Sequence, residues 1–414
     1  MDVLYPHCAG LDGHKKTVVA CHLTRDTKGK EIFTKRTFKT MTADLLLLSD
    51  WLMARGVKQV AMESTGEYWK PVYNILEGHF HLVVANSQHV KNVPGRKTDA
   101  NDAAWLAELH PHGLVRASFV PPAPQRDLRD LTRHRSNFIR ERSNLIHRVH
   151  KTLESANIKL ACVATDVMGV SGRAILDAIV AGQTEAVLMA ELSRGRLRSK
   201  RAELEQALEG RVKRHPRFIL GELLCQIEGL DETIARFDAQ IEEACRPFAE
   251  AVERLDTIPG IGRVAAEATV AEIGADMSRF PSADPLASWA GVAPGNHQRG
   301  GKRLSGCIRK GNQALRKVLV QAAHAVAHTK ATYLAAQYHR LAGRRGKKRA
   351  IIAVAHSILV IAYHLISRNE DYQELGANYF DLRKPEATVR RLVSRLVQLG
   401  YNVELNPQQA AVAA

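Results

Sequence analysis

The sequence predicts an α/β domain at the N-terminus followed by a long, mainly helical C-terminal part. Two patterns predict it. Short β-rich runs alternate with helical segments as far as about residue 110, and helical periodicity dominates from there onwards. A chain of 414 residues is longer than a domain with a single hydrophobic core usually is, so two or three domains are expected.

The N-terminal domain contains three strand patterns in succession, and two further strands that each follow a helix. Successive strands favour a hairpin-linked meander, and helical crossovers add parallel strands to it. This order is typical of an RNase H-like sheet. The predicted strands are HCAGLD, TVVACHL, EIFTKRTF, VKQVAMES and HLVVANS, and the predicted helices cover 42–55, 67–78 and a segment opened by Asp99.

A proline-rich linker at 111–124 ends this first domain, which we assign to residues 1–124. Residues 125–250 are predicted as a basic helical and coiled-coil region, because apolar residues from Leu220 to Phe248 recur at alternating spacings of three and four. The partner helix is a second chain or the segment 192–212, and a homo-oligomer is favoured. The remaining chain is divided into a region with a helix–hairpin–helix turn at 251–345 and a helical extension with a flexible end at 346–414.

The composition indicates a polyanionic partner. Lys and Arg number 59 against 43 acidic residues, and the net charge of +16 is spread along the chain. Nucleic acid is the polyanion that such a charge favours, although a basic protein that is merely soluble stays an alternative. Candidate phosphate contacts follow the turn PGIG and fill the glycine-rich segment 291–317. They are Arg263, Arg299, Lys302, Arg303, Arg309, Lys310, Arg316 and Lys317.

Other features point to the cytoplasm. The six cysteines show no C-x-x-C spacing, and the N-terminus has no signal pattern, so structural disulfides and zinc are not expected. The longest apolar run, 350–366, is shorter than the roughly 20 residues of a membrane span and contains two histidines. It predicts a buried helix, and no membrane partner is expected.

Four carboxylates form the candidate active site. Asp12 and Glu63 end the first and fourth strands, and Asp99 and Asp102 lie one turn apart at a helix start. If that helix packs beside the sheet, the four converge, and their oxygen ligands select Mg²⁺ or Mn²⁺. Two such ions serve phosphodiester exchange. The alternative for each residue is structural, such as a helix cap for Asp99 or a turn for Asp12.

Several motifs together resemble one family. They are GLDGHKKT, AMESTGEYWKPVY, NVPGRKTDANDAAWLAEL, TIPGIG, ASWAGVAPGNHQ, GGKRLSG, RKGN and the tail YFDLRKPEATVRRLVSRLVQLGY. The chain resembles the insertion-sequence one-ten family of bacterial transposases, on its eleven-eleven side. The resemblance implies a RuvC-like domain with an Asp-Glu-Asp-Asp tetrad at Asp12, Glu63, Asp99 and Asp102, a coiled-coil segment and a second transposase domain. It also implies recombination of element-end and target DNA under the direction of a structured bridge RNA.

One position departs from the family pattern. Where the family usually supplies a serine nucleophile ahead of Lys302, this sequence has Arg299. Ser305 is the nearest hydroxyl in the same segment, and Ser288 is a weaker candidate. The predicted function is metal-dependent DNA strand cleavage and exchange by a homo-oligomer, a dimer or tetramer. The alternatives are a Holliday-junction-resolving or structure-specific endonuclease, which needs no serine, and a non-catalytic nucleic-acid-binding protein.

Overall fold

The fold was obtained as a computed structural model, which describes residues 5, 7–26, 30–64, 66–86, 90, 102–295, 297–300 and 302–406. For 297–299 and 303–305 it describes the backbone only. The chain divides into two compact units, an N-terminal unit (1–121) and a C-terminal unit (122–414). The finer division of the second unit at 250 and 345 stays a prediction.

The N-terminal unit is built on a five-stranded mixed sheet with the order β3-β2-β1-β4-β5. The first three strands form an antiparallel meander, and β4 and β5 are added in parallel beside β1. The predicted meander with parallel additions is therefore confirmed. The elements are β1 (Cys8–Gly13), β2 (Thr17–Arg25), β3 (Glu31–Lys39), α1 (Thr42–Met53), β4 (Gln59–Glu63), α2 (Trp69–Leu76), β5 (His81–Ala85) and α3 (Asp102–Leu109).

Each face of the sheet packs against helices because β-strands alternate their side chains. Ala9 and Leu11 of β1 face a core shared with α1 and α2. Cys8 faces the other side, where it packs against Ala103 and Ala107 of α3. Gly10 lies on this second face. A Cβ atom on Gly10 would stand 2.1 Å from the Ala103 carbonyl oxygen, so only glycine lets α3 approach the strand this closely.

Gly10→Ala is expected to destabilise the N-terminal unit by about 1–3 kcal/mol, because the added methyl group meets helix backbone that cannot rotate away. The matched control is Gly13→Ala in the same strand, where the nearest atom, the Tyr68 carbonyl oxygen, is 3.7 Å away. Thermal unfolding followed by tryptophan fluorescence measures the difference. Equal melting temperatures for the two variants would contradict the close approach of α3.

Within its described residues, the C-terminal unit is helical apart from one short hairpin. Its elements are α4 (Ala123–Ser155), α5 (Leu160–Val163), α6 (Val170–Ala181), α7 (Ala186–Glu191), α8 (Arg201–Leu208), α9 (Arg214–Ala244), α10 (Ala249–Asp256), α11 (Arg263–Ile273), α12 (Ala283–Ala290), β6 (His297–Arg299), β7 (Lys302–Ser305), α13 (Gln313–Ala327), α14 (Tyr333–Arg345), α15 (Lys347–Arg368), α16 (Tyr379–Leu382) and α17 (Pro385–Gln398).

The long helices α4 and α9 pack side by side and antiparallel. Arg135 of α4 pairs with Asp238 of α9. Arg142, one heptad further along α4, pairs with Asp231, one heptad earlier in α9, so the two helices run in opposite directions. The partner of the predicted seam is thus α4 of the same chain. The predicted partners were a second chain or residues 192–212, and α4 was not among them. A second chain against the remaining apolar surface stays a prediction. Part of 192–212 still contributes, since Leu204 is buried with the first turns of α9.

The apolar run 350–366 lies within α15, a helix of 22 residues. By length and composition it is the one helix in the described ranges that could cross a membrane, but half of its apolar window is buried inside the protein. Burial of this kind is usual for the core helix of a folded domain. The prediction of a buried helix is consistent with this packing.

Candidate functional site

Asp12 and Glu63 lie at the carboxyl ends of neighbouring parallel strands. The register pairs Leu11 of β1 with Met62 of β4, so the next residues of both strands stand side by side. Both point to the face that carries α3, because they are two residues on from Gly10 and Ala61. The Asp12 and Glu63 side chains are largely buried, 13% and 8% exposed.

Asp102 comes to the same edge through the direction of α3. Cys8, at the start of β1, donates its thiol to the Ala107 carbonyl oxygen at 3.3 Å, whereas Gly10 lies against Ala103. Later residues of the strand therefore meet earlier residues of the helix, and α3 runs antiparallel to β1. The first residue of α3, Asp102, accordingly lies at the end of the sheet where Asp12 and Glu63 are found.

The fourth predicted carboxylate, Asp99, lies outside the described residues, which resume at 102. Among the described side chains, no group of three or more His, Cys, Asp or Glu residues is gathered closely enough to hold a metal ion. The structure thus brings three predicted site residues to one edge of one sheet face, without a complete metal cage among the residues it describes.

His14 is a neighbour of the site that the sequence analysis missed. Its Nε2 atom lies 3.2 Å from the Asp12 carboxylate, and its side chain is 60% exposed. The tight β1–β2 hairpin, closed by a hydrogen bond from the His14 amide to the Thr17 carbonyl oxygen, holds it there. The signal was available in the spacing Asp-Gly-His before a Lys-Lys turn.

The glycine-rich segment of the C-terminal unit contains an antiparallel hairpin, which the sequence pattern did not predict. In it, His297 pairs with Ser305 and Arg299 with Lys302, and Gly300 adopts φ of +57° at the turn. Ser305, the candidate nucleophile, thus ends strand β7. Ser288 lies instead in helix α12, where it is exposed.

Most of the predicted phosphate contacts with described side chains are open to solvent. Arg263 is half-exposed and forms an ion pair with Glu267 one helical turn along α11, with 2.8 Å between Nε and Oε1. Arg316 is partly buried. The structure describes only the backbone of Arg299 and Arg303. The exposed members of the set are Lys302, Arg309, Lys310 and Lys317.

A buried carboxylate near the end of α11, Glu272, contacts the basic segment 291–317 through Asn312. Glu272 is 2% exposed and accepts hydrogen bonds from Arg133 of α4 at 2.7 and 2.9 Å, and from the Asn312 side-chain amide at 2.6 Å. Asn312 caps α13 by accepting from the Leu315 amide at 3.1 Å. Glu272 therefore joins α4, α11 and the start of α13.

Arg129, one turn before Arg133, completes this cluster. Its Nε atom lies 3.3 Å from the Glu272 carboxylate, and its Nη2 atom donates to the Glu272 carbonyl oxygen at 2.6 Å. Burial lowers the pKa of the Arg129 guanidinium to about 10, and the Glu272 charge opposes that fall. The guanidinium therefore remains charged at neutral pH, and the cluster is a buried ionic contact.

Two family models match this chain. One, named for DEDD transposases of the IS110 type and described as "Transposase", matches residues 9–158. The other is described as "Transposase IS116/IS110/IS902 family" and matches residues 252–340. The first match contains all four predicted carboxylates, and the second contains the hairpin, Glu272 and Asn312.

Curated relatives agree with both family models. The chain is 26% identical over 371 residues to the transposase for insertion sequence element IS1111A of Coxiella burnetii, covering 88% of this chain and 90% of that protein. It is 28% identical over 320 residues to a probable family 20 transposase of Pseudomonas aeruginosa, covering 76% and 85%. A pilin gene-inverting protein of Moraxella bovis is 32% identical over 149 residues, covering 34% and 46%. This chain therefore belongs to the IS110 family and is a DNA transposase or recombinase.

Proposed function

We propose that the protein cleaves and exchanges DNA strands during insertion-sequence transposition, with a RuvC-like N-terminal unit as the catalytic part. The observation that carries this proposal is the common position of Asp12, Glu63 and Asp102 at one edge of one sheet face. Three carboxylates in a chain with a net charge of +16 form a local acidic site in an otherwise basic protein. Such a site attracts cations, and the surrounding basic surface attracts the phosphate backbone.

The donor set fits a hard divalent cation. Asp12, Glu63 and Asp102 offer only oxygen ligands, which Mg²⁺ and Mn²⁺ prefer, and Asp99 is the proposed fourth ligand. When bound, two such ions stabilise the attacking and leaving oxygens of a phosphodiester exchange. The chain's own residues fix the geometry: β1 and β4 hold two carboxylates in register, and α3 presents the third.

We propose that the basic segment of the C-terminal unit binds DNA phosphates. Lys302, Arg309, Lys310 and Lys317 are exposed there, and Arg263 lies at the start of α11, whose first backbone amides are free of helical partners. Asn312, tied to Glu272, fixes the residues that follow Arg309 and Lys310. Phosphate contacts position DNA without reading its sequence, so this segment sets where the duplex lies.

Replacing Arg309 and Lys310 together with Ala is expected to reduce the salt dependence of duplex binding. Each neutralised phosphate contributes about 0.9 to the slope of log affinity against log salt, so the slope falls by up to about 2. Fluorescence anisotropy across a salt series measures it. The matched control removes the same charge at Arg390 and Arg391, which already face Glu386 and Asp381. Equal slopes in the two double variants would place the DNA groove elsewhere.

We propose Ser305 as the nucleophile of strand exchange. Its hydroxyl would give up its proton as the oxygen forms a bond to phosphorus, the bridging P–O bond of the DNA would break, and the departing DNA oxygen would take up a proton. Arg299, close to Ser305 in the same hairpin, suits the stabilisation of the pentavalent phosphate because its charge is permanent and its donors are planar.

Wild-type protein incubated with element-end DNA, Mg²⁺ and the cognate RNA is expected to give a DNA-linked protein band after denaturation, and Ser305→Ala is expected to lose it. Ser288→Ala is the matched control. A band that persists in Ser305→Ala eliminates that serine. Cleaved DNA without any band in the wild type favours the alternative, a junction-resolving endonuclease that hydrolyses with water.

Family membership supports our proposals for the partners and the location. We propose element-end and target DNA as substrates, a structured bridge RNA as the guide, and the cytoplasm as the site of action. We also propose a dimer or tetramer. The antiparallel pair of α4 and α9 supports it, because Leu230 and Ile234 in the middle of α9 stay only half-buried against α4 and leave apolar surface for a second copy.

A further inference from the structure

Strand β3 presents a mixed aromatic and basic row on the face of the sheet that carries the carboxylates. Directly opposed residues of antiparallel strands share a face. Phe33 pairs with Leu23 and Lys35 with Cys21, and both of these β2 residues pack beneath α3. The row is continued by every second residue of the strand. We call it the β3 strip: Phe33, Lys35, Thr37 and Lys39.

The β3 strip is open to solvent. β3 is an edge strand of the sheet, and α3 covers β1 and β2 without burying it. All four strip residues are exposed, and Phe33 is 39% exposed although it is apolar. The Lys35 ammonium nevertheless belongs to this face, since it opposes the burial that raises the pKa of the Cys21 thiol to about 11.

The opposite face of the same strand is different. Arg36 lies over the Phe38 ring with its guanidinium carbon 4.8 Å from the ring centre, and Phe38 is buried against Trp51 of α1 at 5.7 Å between ring centres. Neighbouring cations on β3 thus have separate roles. Arg36 covers the core on one face, and Lys35 faces the carboxylate side on the other.

The register places the β3 strip beside the candidate active site. Asp12 of β1 pairs with Val19 of β2, and Val19 pairs with Thr37 of β3, so the three form one row across the sheet. Two strand spacings separate Asp12 from Thr37, about 10 Å. Lys39 lies on the same face of β3, two residues further along the strand than Thr37. At the far end of the strip, Glu31 pairs with Arg25 at 2.7 Å and ends the basic row with an acidic residue.

We infer that the β3 strip binds single-stranded DNA and leads it to the edge where Asp12 and Glu63 lie. This inference rests on the proposed function. An exposed aromatic ring flanked by cations on an open sheet is the arrangement that stacks an unpaired base and neutralises the adjoining phosphates. Phe33 stacks the base, Lys35 and Lys39 meet phosphates, and the Thr37 hydroxyl donates to a phosphate oxygen between them. A duplex offers no unpaired base to Phe33, so the strip selects the single strand.

Photocrosslinking of the full-length protein tests the inference directly. A short single-stranded oligonucleotide carrying 5-bromodeoxyuridine is irradiated with the protein, and the adduct is mapped by mass spectrometry. The expected adduct lies in the tryptic peptide Glu31–Lys35, and Phe33→Ala is expected to reduce its yield about tenfold. A labelled protein without an adduct in this peptide overturns the inference, as does an equal yield from a blunt duplex of the same sequence.

A matched pair of neutralised cations tests the phosphate contacts. Lys35→Gln is expected to lower the salt slope of single-strand binding by about 0.7, the contribution of one phosphate. Arg36→Gln, the adjacent residue on the opposite face, is expected to leave it unchanged. Equal slopes in the two variants overturn the assignment. Neither measurement requires cleavage, so a failure of the proposed catalytic site and a failure of the β3 strip give different results.

Discussion

Asp102→Asn is expected to slow metal-dependent cleavage of element-end DNA at least about 100-fold while the protein stays folded. The substitution removes one negative charge from a site that needs about four to hold two dications, and a loss of about 3 kcal/mol of transition-state stabilisation corresponds to that factor. Asparagine keeps the size of the side chain. One structural cost is the loss of a favourable charge in the first turn of α3, about 0.3–1 kcal/mol.

The control for this variant is Glu108→Gln, an exposed acidic residue near the other end of the same helix. It removes the same charge from α3 but away from the sheet edge that holds Asp12 and Glu63. Single-turnover cleavage in Mg²⁺ measures both variants, and circular dichroism confirms that both are folded. Cleavage by Asp102→Asn at a rate near that of Glu108→Gln would contradict the carboxylate assignment.

Glu272→Gln is expected to destabilise the C-terminal unit by about 3 kcal/mol. The change keeps the shape of the side chain but removes the Glu272 charge that faces the buried Arg129 guanidinium and weakens both hydrogen bonds from Arg133. Removing one partner of a buried ion pair usually costs this much, because the remaining charge stays desolvated. The midpoint of urea unfolding, followed by circular dichroism, measures the loss.

The matched control is Glu250→Gln in α10, which breaks an ion pair with Arg254 at the surface, where the glutamate is 83% exposed. An exposed pair contributes at most about 1 kcal/mol. The two variants therefore lose the same charge in neighbouring helices with different expected costs. A shift for Glu272→Gln no greater than that for Glu250→Gln would show that the cluster is dispensable for stability.

The fold of the N-terminal unit was predictable because it follows from patterns of neighbouring residues. Alternating apolar residues predicted strands β1, β2 and β4. The strand order followed because successive strands form a meander and strands separated by a helix pair in parallel. The boundaries differ from the predicted ones by a few residues, as in α1, which ends at Met53 where 55 was predicted. Local periodicity carries no sharper information about where a helix ends.

The pairing of α4 with α9 could not be derived in this way. Their contacts join residues about 90 to 100 positions apart, as between Arg142 and Asp231. Helical periodicity shows that a helix has an apolar stripe but not which stripe it meets. Glu272 was missed for a related reason. Its partners on α4, Arg129 and Arg133, lie about 140 positions away in the sequence, where local periodicity does not show them.

For the candidate site, the types of residue could be predicted from the sequence, but the close packing that positions them could not. The type and order of Asp12, Glu63 and Asp102 pointed to one site, and the strand register is consistent with their common edge. The close approach that makes this arrangement possible depends on Gly10, whose importance is visible only when α3 is in place. The phosphate contacts were sought in the C-terminal unit, where charge is dense, and the sparser β3 strip was overlooked.

Helix α4 runs unbroken through 33 residues and serves both ends of the C-terminal unit. Its first half holds the Glu272 cluster through Arg129 and Arg133, and its last turns, from Leu145 to Leu153, are buried with α6, α8 and the start of α9. At a rise of about 1.5 Å per residue the helix spans about 50 Å. A helix of that length shared by two cores makes their melting cooperative: neither core can unfold alone without fraying the helix on which the other depends.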